Sequence, residues 1–152
     1  MLTPLTFGGK LRSIVSVTDV AAADSDADTF QVMPVFTSWR MAHIFTKCDA
    51  ITSGSAYELG LNSVTAAFVT AVIDADCYAA TQTFATAITA LPVDLKNKTL
   101  DIALNHQAIW QNPTGGPATD PQTWYYLALT ATTVGSAAGQ IVMDAHYVEP
   151  NG

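Results

Sequence analysis

Along the last thirty residues of the chain, apolar and polar side chains alternate with a period of two. From Trp124 to Thr133 the apolar positions are Tyr125, Leu127, Leu129 and Ala131; from Gln140 to Glu149 they are Ile141, Met143, Ala145 and Tyr147. That period puts successive side chains on opposite faces of a pleated backbone, so each run predicts a β-strand. The link Val134-Gly135-Ser136-Ala137-Ala138-Gly139 has glycines near both ends, and its brevity predicts that the two strands form one long hairpin.

The same alternation, with interruptions, runs through most of the chain. Arg12 to Val20 is β-branched and strand-like, and Ala21 to Asp28 is a small, acidic connection. Phe30, Val32, Pro34 and Phe36 alternate in Thr29 to Phe36; Pro34 lacks a ladder N–H and so predicts a sheet edge or a bulge. Trp39 to Asp49 is strand-like but mixed in pattern, and Thr52 to Ser55 is a turn signal. Ala56 to Asn62 is a clean strand, with Tyr57, Leu59 and Leu61 on one face. Ala66 to Asp74 is apolar and β-branched and is expected to pair nearby. Asp76 reads as the N-cap of a short helix through Tyr78 and Ala80. Thr81 to Leu95 stays open: Phe84, Ile88 and Leu91 fit a helix, while the interleaved threonines resist one. Leu100 to Leu104 alternates like a strand, its continuation through Trp110 fits strand or helical turn, and Asn112 to Asp120 is a Pro/Gly loop. About eight strands and no long amphipathic helix predict an all-β fold, an antiparallel β-sandwich or jelly roll with one or two short helical turns.

There is no internal repeat and no linker, so residues 11–150 are expected to form a single domain, and 152 residues suffice for one ordinary core. Residues 1–10 read as an extended arm carrying Leu2, Leu5 and Phe7 around Pro4. Three large apolar side chains on so short a segment need cover from their own domain or from a neighbour. Leu2, Leu5, Phe7 and Pro34 are therefore the candidate inter-chain contacts.

Composition sharpens that picture. Charged residues make up 12% of the chain against about 25% in an ordinary soluble domain, and threonine, alanine and serine fill the difference. Such a surface is expected to be covered in large measure by other chains. The net charge of −7, with six scattered Lys and Arg, leaves no phosphate-neutralising cluster, so no nucleic acid partner is expected. No run approaches the length of a membrane span, and Met1 to Lys10 lacks the pattern of a secretion signal, so synthesis in a cytoplasm and no membrane partner are expected. Cys48 and Cys77 are expected to be free, buried thiols.

Chemical motifs fail one after another. Asp24, Asp26 and Asp28 open a calcium-loop pattern, but Thr29 stands where the glycine is needed and Val35 where the closing glutamate is needed, so a solvated acidic turn is the better reading. His43, His106 and His146 are scattered, without metal-ligand spacing. Ser136 lies in a turn and not at a nucleophile elbow, Gly8-Gly9-Lys10 lacks the rest of a phosphate loop, and Asn97-Lys98-Thr99 is a chance glycosylation pattern. Asp74 and Asp76 read as turn formers rather than as a hydrolytic pair. No catalytic residue, metal or cofactor is expected. Trp39, Trp110, Trp124 and Tyr126 remain as a platform on which sugar rings would stack, or as core and interface anchors.

The segments Ala56-Tyr57-Glu58-Leu59-Gly60-Leu61-Asn62, Val72-Ile73-Asp74-Ala75-Asp76-Cys77-Tyr78-Ala79-Ala80, Tyr125 to Thr130, Ala137-Ala138-Gly139 and Met143 to Val148 resemble small β-rich structural proteins of tailed bacteriophages, among them head decoration (cement) proteins. The resemblance covers roughly the last two thirds of the chain and brings no catalytic residue with it. It implies a non-enzymatic virion subunit that binds the outside of a phage head, bridges capsomers of the major capsid protein and self-associates as a homotrimer. The alternatives are another virion location, in the neck, collar or tail, and a carbohydrate-binding β-sandwich module.

Overall fold

A computed structural model describes residues 9–22, 24–51, 55–64, 70–94 and 107–150. Within them eight strands follow one another: β1 (Gly9–Val20), β2 (Thr29–Phe36), β3 (Arg40–Cys48), β4 (Ala56–Val64), β5 (Thr70–Thr83), β6 (Ile88–Asp94), then a 3-10 turn (Ile109–Gln111), β7 (Trp124–Thr133) and β8 (Gly139–Pro150). They form two antiparallel sheets with strand orders β1-β8-β3-β6 and β2-β7-β4-β5. The sequence pairs β1 with β8, β2 with β7, β3 with β6 and β4 with β5, a single ribbon folded over on itself. This is the jelly roll, and the expected fold class is correct.

The core lies between the sheets. Tyr57, Leu59 and Leu61 of β4 and Leu127 and Leu129 of β7 bury their side chains against Met41 and Ile44 of β3 and Ile141, Met143 and Ala145 of β8. Cys48 and Cys77 are buried thiols that form no disulfide, as expected. β1 begins at Gly9, paired to Pro150, and Lys10 is paired to Glu149, so the sheet starts two residues before the predicted arm boundary. Leu2, Leu5 and Phe7 lie outside the described residues, as do the predicted Thr52–Gly54 part of the turn, the first four residues of the run Ala66 to Asp74, the Asn97-Lys98-Thr99 triplet and the run Leu100 to Leu104.

Three expectations are corrected. First, β7 and β8 are not a hairpin: β7 pairs with β2 and β4, β8 pairs with β1 and β3, and the Val134–Ala138 link crosses from one sheet to the other. Alternation records which face of a strand is buried and not which neighbour it pairs with, and two strands facing each other across a core show the same pattern as a hairpin.

Second, Asp76 caps no helix. Residues Asp76 to Ala80 belong to β5, which carries a large bulge: Leu61 stands opposite Asp74 and Leu59 opposite Ala79, so β5 advances five residues where β4 advances two. Cys77, Tyr78 and Ala79 are consecutively buried within this bulge. Gly60 of β4 lies under this bulge, where any Cβ would overlap the carbonyl oxygen of Asp74 and the backbone of Ala75.

Third, Val32 and Met33 are both buried because a bulge between Gln31 and Met33 reverses the alternation of β2. Val35 and Thr37 then face the core, and Pro34 is exposed. Pro34 does sit on the outermost strand of its sheet, as its missing N–H requires. A similar irregularity between Met41 and His43 accounts for the mixed pattern of β3. The open segment Thr81 to Leu95 holds the end of β5 and all of β6, and the continuation to Trp110 becomes the 3-10 turn.

The loop from Gln107 to Asp120 closes one end of the sandwich. Ile109 N–H donates to the Trp39 carbonyl (2.7 Å) and Trp110 N–H to the Thr37 carbonyl (3.1 Å), which sinks the Ile109 side chain into the core. The buried Tyr78 hydroxyl donates to Asn112 Oδ1 (2.9 Å), and Thr114 N–H donates to Asp74 Oδ2 (2.7 Å). Burial holds the Tyr78 phenol well above its ordinary pKa.

Gly60→Val is expected to lower unfolding free energy by about 3 kcal/mol or more, read from chemical denaturation, because the β5 bulge has to move. Tyr78→Phe is expected to cost about 1 kcal/mol at neutral pH, since Asn112 loses its donor. The folded-state pKa of Tyr78 is raised, so its contribution is full below the unfolded phenol's pKa and is lost as pH rises above it. The variant should therefore lose less stability than the parent between neutral and strongly alkaline pH, as followed by circular dichroism.

Candidate interaction surfaces

The sheet β1-β8-β3-β6 turns an unusually apolar face outward. Leu11, Val15 and Val17 of the edge strand β1 are 66%, 62% and 55% exposed. The register sets Ser13, His146 and His43 in one row, Val15, Asp144 and Phe45 in the next, and Val17, Val142 and Lys47 in a third. Residues in one row share a face of the sheet. Phe45 is the centre of the patch, stacked on His43 (5.3 Å between ring centroids, 13°) and meeting His146 edge to face (5.3 Å, 86°). His146 Nε2 lies 3.1 Å from Asp144 Oδ2. A hollow of about 330 Å³ opens here, with Val15, Phe45, Val142 and His146 on its walls. At the start of β1, on the other face of the sheet beside Tyr147, Arg12 Nε donates to Glu149 Oε2 (3.3 Å).

A long edge strand with exposed aliphatic side chains invites another chain. β1 is partly restrained: the Ser16 hydroxyl donates to the Val32 carbonyl of β2 (2.6 Å) and ties the two sheets together at this edge. Of the predicted contact residues, Pro34 lies on the other sheet, and Leu2, Leu5 and Phe7 fall outside the described residues. The signal was nevertheless in the sequence, since Leu11 to Val20 carries apolar side chains at both odd and even positions.

A second surface lies on the other sheet. Pro34 of β2 is the register partner of Tyr126 in β7, and Phe36 is the partner of Trp124. Pro34, Thr123, Trp124 and Tyr126 line a shallow cleft of about 420 Å³. Trp124, 49% exposed, meets Phe36 (5.2 Å, 74°) and Trp39 (5.3 Å, 86°) edge to face, and Trp39 in turn stacks on Tyr147 (4.2 Å, 11°). Thr37 anchors this end of β7: its N–H donates to the Thr123 carbonyl (3.0 Å), its hydroxyl donates to Asp120 Oδ1 (2.6 Å) and accepts from Thr123 N–H (3.2 Å). Of the four aromatic residues picked out in the sequence, Trp124 and Tyr126 line the cleft, Trp39 is spent in internal stacking, and Trp110 sits in the 3-10 turn.

The acidic triplet is built into a turn. Asp24 Oδ2 accepts from Ala21 N–H (2.6 Å), Asp28 Oδ2 from Ser25 N–H (2.7 Å), and Asp26 Oδ1 from Val134 N–H (2.9 Å), which pins the inter-sheet link. Asp74 uses both oxygens on backbone donors, at Asp76 and Thr114. His43 and His146, far apart in sequence, are cross-strand neighbours; His106 lies outside the described residues. Among the described residues no three potential ligands converge on a point where a metal ion would sit.

No family model matches the chain, and no curated protein matches its sequence. Among solved structures, the chain is similar to one described as the cyanophage Pam1 capsid asymmetric unit, with a TM-score of 0.57 over 99% of this chain and 92% of that one. Identity between the two is 16%, so the likeness is one of fold.

The Thr37 anchor is expected to matter more than its size implies. Thr37→Val strands the Asp120 and Thr123 groups it serves in a half-buried site, and it should cost about 1–3 kcal/mol of stability. The same substitution should shift the fluorescence of Trp124, which follows directly on Thr123.

Proposed function

We propose that the chain is a structural subunit of a tailed-phage particle, a capsid decoration protein that acts by contact and carries out no reaction. The observation that carries this reading is the open apolar face on β1, β8 and β3, in a jelly roll whose charged residues are few. Support comes from the fold likeness to a solved phage capsid unit and from the sequence segments that resemble decoration proteins.

The physics of such attachment is multivalent. Fully burying an aliphatic side chain is worth about 1.5–3 kcal/mol, so Leu11, Val15 and Val17 together contribute several kcal/mol. Much of that offsets the cost of immobilising the subunit. One such contact is weak. Three copies joined in a trimer hold tightly, because after the first contact forms the others bind at high local concentration. In this reading the outward face of β1-β8-β3 meets the shell or a sister copy, and Leu2, Leu5 and Phe7, which precede β1 in the sequence, add to that contact. Pro34, on the opposite sheet, has no part in it.

Val15→Asp with Val17→Asp is expected to leave the fold within about 1 kcal/mol of the parent, because both side chains face outward, and to reduce particle occupancy at least about tenfold. Cryo-electron microscopy of decorated particles together with native mass measurement reads both occupancy and copy number. Density at the neck or tail would overturn decoration while keeping a virion role, and a dispersed single chain absent from particles would overturn both. Deleting Met1 to Gly8, which stops short of the Gly9–Pro150 pair, is expected to leave a folded domain with reduced occupancy; full occupancy would remove the arm from the contact.

A further inference from the structure

The cleft on the sheet β2-β7-β4-β5 is the better-built of the two surfaces, and it lies on the opposite sheet from the face assigned to the shell. We propose that the cleft formed by Pro34, Thr123, Trp124 and Tyr126 is a binding site for a neutral saccharide, whose ring stacks on the exposed indole and phenol. The site stands independently of the virion role; only the gain from many copies rests on that reading.

Four observations narrow the ligand. The first is preorganisation: half of the Trp124 surface is open to solvent, yet its ring packs edge to face on Phe36 and Trp39, and its backbone follows Thr123, which is held by two hydrogen bonds to Thr37. A large ring already held in place loses little freedom on binding.

The second is charge. None of the four lining residues is a lysine, arginine, histidine, aspartate or glutamate, and the neighbouring Asp120 is engaged, with Oδ1 accepting from Thr37 and Gln122 and Oδ2 from Gln122. With a chain charge of −7, an anionic ligand such as a phosphate or an acidic sugar finds no counter-charge here.

The third is Pro34. It occupies the edge strand beside the cleft and has no N–H, so a peptide adding itself to that edge as a new strand would lose a ladder bond where its side chains would meet the aromatic residues.

The fourth is shape. At about 420 Å³ the cleft falls within the size range of small-ligand sites, but it is open and mixes an aromatic wall with a polar residue, Thr123. A sugar ring matches that mixture, with an apolar C–H face to lay on an aromatic ring and hydroxyls around its rim. A single such contact is weak, and a particle carrying many copies would convert it into firm adhesion to a glycan-coated surface.

The test uses the full chain. Saturation-transfer NMR and tryptophan fluorescence are recorded against glucose, galactose, N-acetylglucosamine and rhamnose, with sialic acid as the charged control, followed by a glycan array. At least one neutral sugar is expected to bind, and Trp124→Ala and Tyr126→Ala are each expected to weaken that binding about tenfold or more. Fold and particle occupancy should be unchanged. Should Trp124→Ala fail to fold, Tyr126→Ala carries the test, since Tyr126 has no ring partner among the described residues.

Absence of binding by every neutral glycan would overturn the proposal, as would preference for the charged control, or binding that survives both substitutions. Loss of self-association or of particle occupancy in Tyr126→Ala would assign the cleft to a protein contact and would also overturn it. Because the sugar titration needs no particle, failure of the decoration reading leaves its outcome separately readable.

Discussion

Everything in this fold depends on the two last strands taking the central places. β8 is flanked by β1 and β3, and β7 by β2 and β4, so neither sheet has its ladder complete until the C-terminal segment is inserted. The pairing of β1 with β8 joins Gly9 to Pro150, nearly the full length of the chain. Contacts so distant in sequence demand a large entropic outlay before they return any stabilisation, which makes this a slow-folding topology. It also explains why the cleanest hydrophobic alternation is in β7 and β8. Strands hydrogen-bonded on both sides and buried on one face have the least tolerance for a slip of register, because a one-residue shift would turn every core side chain outward.

The irregular places serve that arrangement. The β5 bulge over Gly60 carries Tyr78 into a fully buried position where its hydroxyl reaches Asn112, and Asp74 at the start of the bulge holds Thr114. The end loop is thus held to β5 on one side and, through Thr37 and Trp39, to the β2–β3 turn on the other. The bulge in β2 has a different effect: by reversing the alternation after Gln31 it turns Pro34 out beside Tyr126 and delivers Val35 to the core. Without that inserted residue the cleft would lack one of its walls.

How far the chain could be read in advance follows from what a period of two encodes. Strand positions were legible almost everywhere, because alternation is local: β2 and most of β1, β3, β4, β7 and β8 lie where the pattern places them. Strand partners were not, since Tyr125 and Ile141 look alike whether they sit side by side or face each other across a core. The helix expected after Asp76 failed for a related reason. Cys77, Tyr78 and Ala79 in sequence resemble a buried helical turn, and the bulge that buries all three within a strand depends on tertiary pairing with β4. The surfaces were half legible. Trp124, Tyr126 and Pro34 stood out individually by residue type, whereas the patch around Phe45 needed three strands brought together before His43 and His146 became neighbours.

A sandwich of two sheets has two outward faces, and here they differ in kind. The β1-β8-β3 face is broad, aliphatic and bordered by an open strand edge, properties suited to a large, flat protein partner. The β2-β7 face concentrates its apolar surface in a few rigid aromatic side chains around a small concavity, a geometry suited to a compact ligand. Because the core separates them, a change on one face need not disturb the other, provided it spares the inward positions of the same strands. Val15 and Val17 alternate with Ser16, whose hydroxyl ties β1 to β2, and Tyr126 lies between the buried Tyr125 and Leu127. Each face therefore varies at every second residue while the intervening residues hold the jelly roll together, which is how one small domain can be anchored by one side and recognise something else with the other.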